Sequence, residues 1–186
     1  MTTLASDHPV SLPDDLPGWL RRDLRSDHAG ESGAVEIYRG ILAVSGSQDV
    51  RAFAREHLRT ESRHLRLMDA LVPPEQRSRL TWLWRLAGWV TGALPALFGP
   101  RAVFRTIEAV ETFVDGHYAE QLTALANAGP EYAALRSTLA ACRDDEIHHR
   151  DDASKRAGAA PGLAGRTWHW LVNAGSHAGV AVARRI

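Results

Sequence analysis

Residues 143–150 read RDDEIHHR, and seven of these eight side chains are polar although the stretch sits inside a helix-forming run, LAAC before it and DDASK after it. A helix that packs in a domain presents an apolar stripe to its neighbours, so polar residues on the inward face need a physical reason. Glu146 and His149 stand three positions apart, which puts them one turn apart on one face. That face continues through Leu135, Leu139, Cys142 and Ala153. Burying a carboxylate and an imidazole is costly unless a partner compensates, and a metal ion is a partner that uses both.

Elsewhere the same spacing recurs once in a comparable setting. Glu61-Ser62-Arg63-His64 places Glu61 and His64 on a stripe with His57, Leu58 and Met68. A di-iron carboxylate site in a helical bundle takes Glu-x-x-His from each of two helices and a single Glu from each of the other two. At about 100° per residue, Glu31 shares a face with Leu24, Tyr38 and Leu42, whereas Glu36 points away. Glu111 lies on the stripe of Phe104, Ile107, Tyr118 and Leu122, with Glu108 at its margin. The expected ligand set is Glu31, Glu61, His64, Glu111, Glu146 and His149.

The rest of the chain supplies the helices this needs. Alternating β-branched runs are missing, and Ala, Leu, Arg and Glu recur at helical spacing, so the class is all-α. Helices are expected from about Gly18 to Val44, Gln48 to Leu71, Pro100 to Asn127, Pro130 to Ala157 and Leu163 to Arg184, broken at Ser45-Gly46-Ser47, Val72-Pro73-Pro74, Gly99-Pro100, Gly129-Pro130 and AGAAPGLAG. The segment from about Pro74 to Phe98 reads as apolar and irregular. Residues 1–17 read as a flexible lead-in without the basic start and apolar core of a signal peptide, and residues 18–186 as one domain.

Composition narrows the function. Lys plus Arg and Asp plus Glu are both 22 among 186 residues, which removes the basic footprint of a nucleic-acid binder. The single cysteine, Cys142, excludes an internal disulfide and a Cys-rich metal site, and fits a reducing cytoplasm and a small core residue.

From about Leu24 onward the chain resembles the demethoxyubiquinone hydroxylase family. The resemblance is carried by RSDHAGESGAVEIYRG (25–40), ESRHLRLMD (61–69), WRLAGWVTGALPALFGP (84–100), AVETFVDGHYAEQL (109–122) and RDDEIHHRDD (143–152). It implies a ferritin-like four-helix bundle with two additional helices, an interfacial hairpin segment and a C-terminal helix. It also implies two iron ions on the six residues above, with O₂ and a polyprenyl quinone as substrates and NADH or the quinol as electron source. The chain departs from the family pattern at Glu111-Thr112 and at His148-His149-Arg150. Asp27, Asp145 and His148 are candidates for supporting the metal ligands, and His117 and Tyr118 for the quinone site; Tyr38 reads as core, and His28 as polar surface or support. Another di-iron oxidase, or a non-catalytic metal- or quinone-binding protein, remains open on sequence.

Five of the six tryptophans fall in two places, Trp82, Trp84 and Trp89, then Trp168 and Trp170. The uncharged run from Leu86 to Gly99 is 14 residues, below the roughly 20 that span a bilayer. The expectation is a protein peripheral on the inner membrane, with these tryptophans at the interface and Arg77, Arg79, Arg85, Arg184 and Arg185 near anionic lipid. The same surface could serve a homodimer or a biosynthetic complex.

Overall fold

A computed structural model describes residues 12, 13, 15–159 and 162–186, so most of the lead-in lies outside the described residues. Six helices follow one another: α1 (Gly18–Val44), α2 (Gln48–Leu71), α3 (Thr81–Ala96), α4 (Pro100–Ala126), α5 (Ala133–Ala157) and α6 (Leu163–Ala183). Short 3-10 turns at Pro74–Gln76 and Pro130–Tyr132 precede α3 and α5, and no strand occurs among the described residues.

The helix ends follow local chemistry. Ser47 caps α2, its hydroxyl accepting from the Val50 amide at 3.4 Å. Gly99, at φ 95°, takes the left-handed turn before α4, and Pro100 fills the first helical position, where no amide hydrogen is needed. At the far end of α5, Lys155 and Arg156 sit in the last turn. Arg101 reaches in from α4 to donate to the Ala157 carbonyl at 3.1 Å, and Arg105 to that of Gly158 at 2.6 Å.

Helices α1, α2, α4 and α5 form the bundle, and two apolar clusters fill its ends. One gathers Tyr38, Ile41, Phe53, Phe104 and Ile107; the other gathers Leu20, Leu24, Met68, Leu125, Leu135 and Leu139. Each fully buried side chain of this size contributes about 1.5–3 kcal/mol relative to exposure, which leaves room for a polar layer between the clusters. Arg143 and Arg150 of α5 both donate to Asp115 of α4, at 2.7 and 2.6 Å, so Arg150 ties two bundle helices together.

The third segment is more regular than its Gly and Pro content suggested. It forms α3, a single helix rather than a hairpin, with Pro95 confined to the last turn. Its glycines are the reason. A Cβ on Gly88 would strike the Gly33 carbonyl of α1, and one on Gly92 the Ile37 carbonyl, so the two helices meet backbone to backbone. Glu36, turned away from the bundle axis as expected, joins the same seam by accepting from Arg85 at 3.1 Å and Arg39 at 2.7 Å.

Helix α6 lies across α4 and α1. Trp168 Nε1 donates to the Thr106 hydroxyl at 2.7 Å, and Arg184 pairs with Asp23 at 2.9 Å. Among the described residues, no helix is long and apolar enough to cross a membrane.

Candidate metal centre

Between the two apolar clusters the bundle buries four carboxylates and two imidazoles. Glu31, Glu61, His64, Glu111, Glu146 and His149 are all at most 5% exposed. Their ligand atoms form two groups, Glu31, Glu61, His64 and Glu146 in one, Glu61, Glu111, Glu146 and His149 in the other, and within each group all lie within 4.8 Å of one another. Glu61 and Glu146 belong to both, so the arrangement has two adjacent foci with two shared carboxylates.

The Glu-x-x-His turns interlock across the bundle. His64 Nδ1 lies 2.9 Å from Glu146 Oε1, and His149 Nδ1 lies 2.9 Å from Glu61 Oε1. Despite these short separations, Glu31 Oε2, Glu61 Oε1 and His64 Nδ1 have no aligned hydrogen bond. Buried polar atoms left without a partner in this way are available to a cation. Hard oxygens with one imidazole per focus suit two iron-type cations with open positions. The donor set therefore fits a pair of such ions.

The electrostatics also call for positive charge. Burial, then neighbouring carboxylates, pushes Glu111 well above the usual carboxylate range; Glu31 is raised well and Glu61 less, by burial first. Burial works against charge on His149, yet its contacts with Glu146 and Glu61 push it up to about 11. Burial would raise Glu146, but both imidazoles bring it down to about 2.

Four of the six side chains are also fixed from outside the cluster. Tyr118 donates to Glu31 Oε1 at 2.8 Å and Tyr38 to Glu111 Oε1 at 3.2 Å, so each tyrosine of α1 or α4 holds the glutamate of the other helix. Asp145 Oδ2 lies 3.1 Å from His64 Nε2, the contact that sets tautomer and ring orientation at metal-binding histidines. His149 has a different support: the His57 ring packs edge-on against it at 4.2 Å, and His57 Nε2 pairs with Asp152 at 3.3 Å.

Comparison with known proteins gives the family. Residues 18–183 match the family model of the ubiquinone biosynthesis protein COQ7. The chain belongs to the COQ7 family. It is 36% identical over 187 residues to a 3-demethoxyubiquinol 3-hydroxylase of Rhodospirillum rubrum, covering 93% of this chain and 84% of the relative. It is 38% identical over 133 residues to the mitochondrial NADPH-dependent 3-demethoxyubiquinone 3-hydroxylase of Dictyostelium discoideum, covering 70% and 61%. The Caenorhabditis elegans protein of the same description is 30% identical over 171 residues, covering 90% of each chain.

Within this COQ7-family chain, the carboxylate face of the cluster borders a cavity of about 400 Å³ between α1, α3, α4 and α6, with Glu31, Glu61, Glu111 and Glu146 on its wall. The rest of the lining is mostly apolar, including Ile37, Val110, Phe113, Leu171 and Val172. His64 and His149 are buried and are not part of that wall.

Other residues singled out in the sequence fall differently. Asp27 does not orient a ligand histidine: it lies one turn before Glu31 and is taken up by His117 Nε2 at 2.9 Å and Gln121 at 2.7 Å. His148 is exposed and makes only ring contacts at 6.2 Å or more. His28 is buried and pairs with Asp69 at 3.2 Å, while Glu108 pairs with Arg105 and accepts from Ser154. Cys142 is buried in the second apolar cluster.

Trp84 turns inward to the cavity and donates to Ser78, whereas Trp82 and Trp89 are exposed; Trp168 and Trp170 divide the same way. Of the arginines expected near lipid, Arg77, Arg85 and Arg184 are committed to Asp69, Glu36 and Asp23, leaving Arg79 and Arg185 without an ion pair among the described residues. The tyrosine supports were legible but missed: Glu31 to Tyr38 and Glu111 to Tyr118 repeat one seven-residue interval, two turns on one face. The His57–Asp152 pair carried no sequence signal beyond the stripe position of His57.

Proposed function

We propose that the chain hydroxylates the ring of a demethoxy polyprenyl quinone or quinol, using O₂, in ubiquinone biosynthesis. The observation that carries this reading is that two ligand groups sharing Glu61 and Glu146 form the wall of an apolar cavity of ring-binding size. The relatives' names give the substrate class, and the cavity supplies a mostly apolar place for it beside the cluster.

Glu31, Glu61, His64, Glu111, Glu146 and His149 would hold two iron ions, which when bound supply O₂ activation and transfer of one oxygen atom to the ring. The protein's share is positional. Tyr38, Tyr118 and Asp145 fix the ligand orientations, the shared carboxylates keep the two foci adjacent, and the apolar lining keeps bulk water from the reacting ring. Electrons would come from a reduced nicotinamide or from the quinol.

The outer faces of α3 and α6 support a peripheral membrane position on the cytoplasmic side of the cell membrane. Trp82, Leu97, Phe98 and Trp170 are 64–75% exposed, and the inward faces of the same two helices line the cavity. Such a surface, resting in the headgroup region, would let a long apolar tail pass from bilayer to cavity.

The deciding experiment supplies iron-loaded protein with a short-tailed demethoxy-quinol, a reduced nicotinamide and isotopically heavy O₂. The expected product is heavier by one oxygen atom taken from the gas, and Glu146→Ala abolishes it. A product labelled from water, or full turnover by Glu146→Ala, would reject the assignment. Co-sedimentation with anionic vesicles tests the surface: Trp82→Ser with Phe98→Ser lowers binding while the fold is retained, and a switch in oligomeric state instead would mark that face as a dimer contact.

A further inference from the structure

Helix α2 is buried along one side and lined with arginine along the other. Phe53, His57, Glu61, His64 and Met68 face the bundle. At about 100° per residue, Arg51, Arg55, Arg59, Arg63 and Arg66 fall within about 120° of one another on the opposite side. No acidic residue between positions 51 and 66 shares that stripe, and Glu56 stands at its margin.

The last four of these arginines are exposed, and their charge is hardly compensated. Arg59 donates to the Arg55 carbonyl and Arg63 to the Thr60 hydroxyl, each at 3.2 Å. Arg63 comes no nearer to Asp145 than 3.8 Å, and Arg55 and Arg66 have no ion pair among the described residues. Like charges four residues apart destabilise a helix, so the row carries a local cost that an anionic partner would offset. From Arg55 to Arg66 it extends about 16 Å along the axis.

Shape and position choose among anions. A dinucleotide takes a concave pocket, whereas this ridge is the outer side of a helix and none of its arginines lines the cavity. Helix α3 packs on α1 and α6 on α4 and α1, while α2 packs on α1 and α5. With the apolar faces of α3 and α6 at a bilayer, the ridge therefore looks into water. The partner that fits is a folded protein with carboxylates on its surface, which guanidinium forks pair with in bidentate fashion.

The ridge also leads to the metal centre. Asp145 Oδ2, next to Arg63, lies 3.1 Å from His64 Nε2, and His64 Nδ1 lies 2.9 Å from Glu146 Oε1. We infer that the α2 arginine ridge docks an acidic one-electron carrier, a flavin or iron–sulfur protein, beside the Asp145–His64 contact. The inference rests on the reading that the chain is an O₂-dependent hydroxylase, and goes beyond it by naming the class of protein that delivers the electrons. Placing one oxygen atom of O₂ in a ring C–H bond and the other in water consumes two electrons and two protons. A reduced nicotinamide releases its electrons as a hydride pair; the carrier passes them on singly, being oxidised by one electron at each encounter, and the protons come from solvent.

The test mixes the metal-loaded full chain with a chemically reduced, acidic plant-type ferredoxin in the absence of O₂, and follows ferredoxin reoxidation by its visible absorbance. Between about 20 and 200 mM salt, the wild-type second-order rate constant is expected to fall at least about tenfold. The triple variant Arg55→Gln, Arg59→Gln, Arg66→Gln is expected to lose about tenfold at low salt and most of the salt dependence. Its metal content, helicity and turnover with a small uncharged reductant stay at wild-type values, and lysine at the same three positions restores most of the rate. A Gln variant with the wild-type rate and salt slope overturns the docking assignment and leaves the hydroxylase reading in place. Loss of anionic-vesicle binding by that variant, with its ferredoxin rate unchanged, also overturns it and marks the ridge as a lipid surface. If the ridge effect appears but no reductant yields a hydroxylated ring, docking stands and the assigned reaction falls.

Discussion

The two halves of the cluster have the same ligands and different surroundings. On one side, Glu31 and His64 are held by hydrogen bonds, from Tyr118 at 2.8 Å and with Asp145 at 3.1 Å. On the other, Glu111 takes a longer bond from Tyr38, 3.2 Å, and His149 is braced by the His57 ring, which also meets Phe53 edge-on at 4.2 Å. The first half adjoins the Asp27–His117 pair at the cavity, while the second backs onto the aromatic end of the core. A pseudo-symmetric ligand set thus sits in an asymmetric shell, so the two positions should differ in affinity although their donors match.

The strongest way to break the comparison is to remove what the halves share. Glu61→Ala deletes a ligand from both groups, and metal analysis should show both ions lost; Glu31→Ala or Glu111→Ala should retain one. Equal loss from all three variants would mean that the halves do not act as separate positions.

Acid provides the next test, because only the second half leans on a buried neutral histidine. Burial, followed by repulsion from His149, lowers His57 to about 4 from an ordinary value of 6.5. A lowered folded-state pKa means stability is full above about 6.5 and is lost as pH falls toward 4, by about 3 kcal/mol before other groups are counted. Thermal unfolding of His57→Phe should lose less stability across that window than wild type; identical pH profiles would remove His57 as the cause.

A smaller effect separates the two histidine supports. Asp145→Asn should weaken metal binding about 10- to 100-fold, whereas His57→Phe, which keeps a ring against His149, should change it less than about tenfold. Competition with a chelator measures both. Smallest is the tyrosine pair: Tyr118→Phe and Tyr38→Phe each remove one hydrogen bond, at about 1–2 kcal/mol, with the shorter Tyr118 contact costing more. Metal titration of the two variants checks the order.

Much of this architecture was legible in the chain. Residue spacing alone marked Glu61 with His64 and Glu146 with His149, and the stripe argument chose Glu31 over Glu36 and Glu111 over Glu108. Those choices concern one helix at a time, where position along the sequence fixes direction around the axis. Trp84 and Trp82 show the limit: only two residues apart, they face the cavity and the outside, because the Gly33–Gly88 contact sets how α3 is rotated on α1. Asp27 reaching His117, and His57 reaching Asp152, likewise depend on the register between helices far apart in the chain.

By itself, then, the sequence determined the helical class, the bounds of five helices to within a few residues and the inward direction of the six candidate ligands, since hydrophobic period, capping residues and Gly-Pro breaks act within a few residues of one another, while α3 was left irregular. Only the tertiary structure decided which carboxylates are shared, which side chain steadies each ligand and where the cavity opens. Those features are distances between helices, and they arise from close packing of surfaces that no single helix contains.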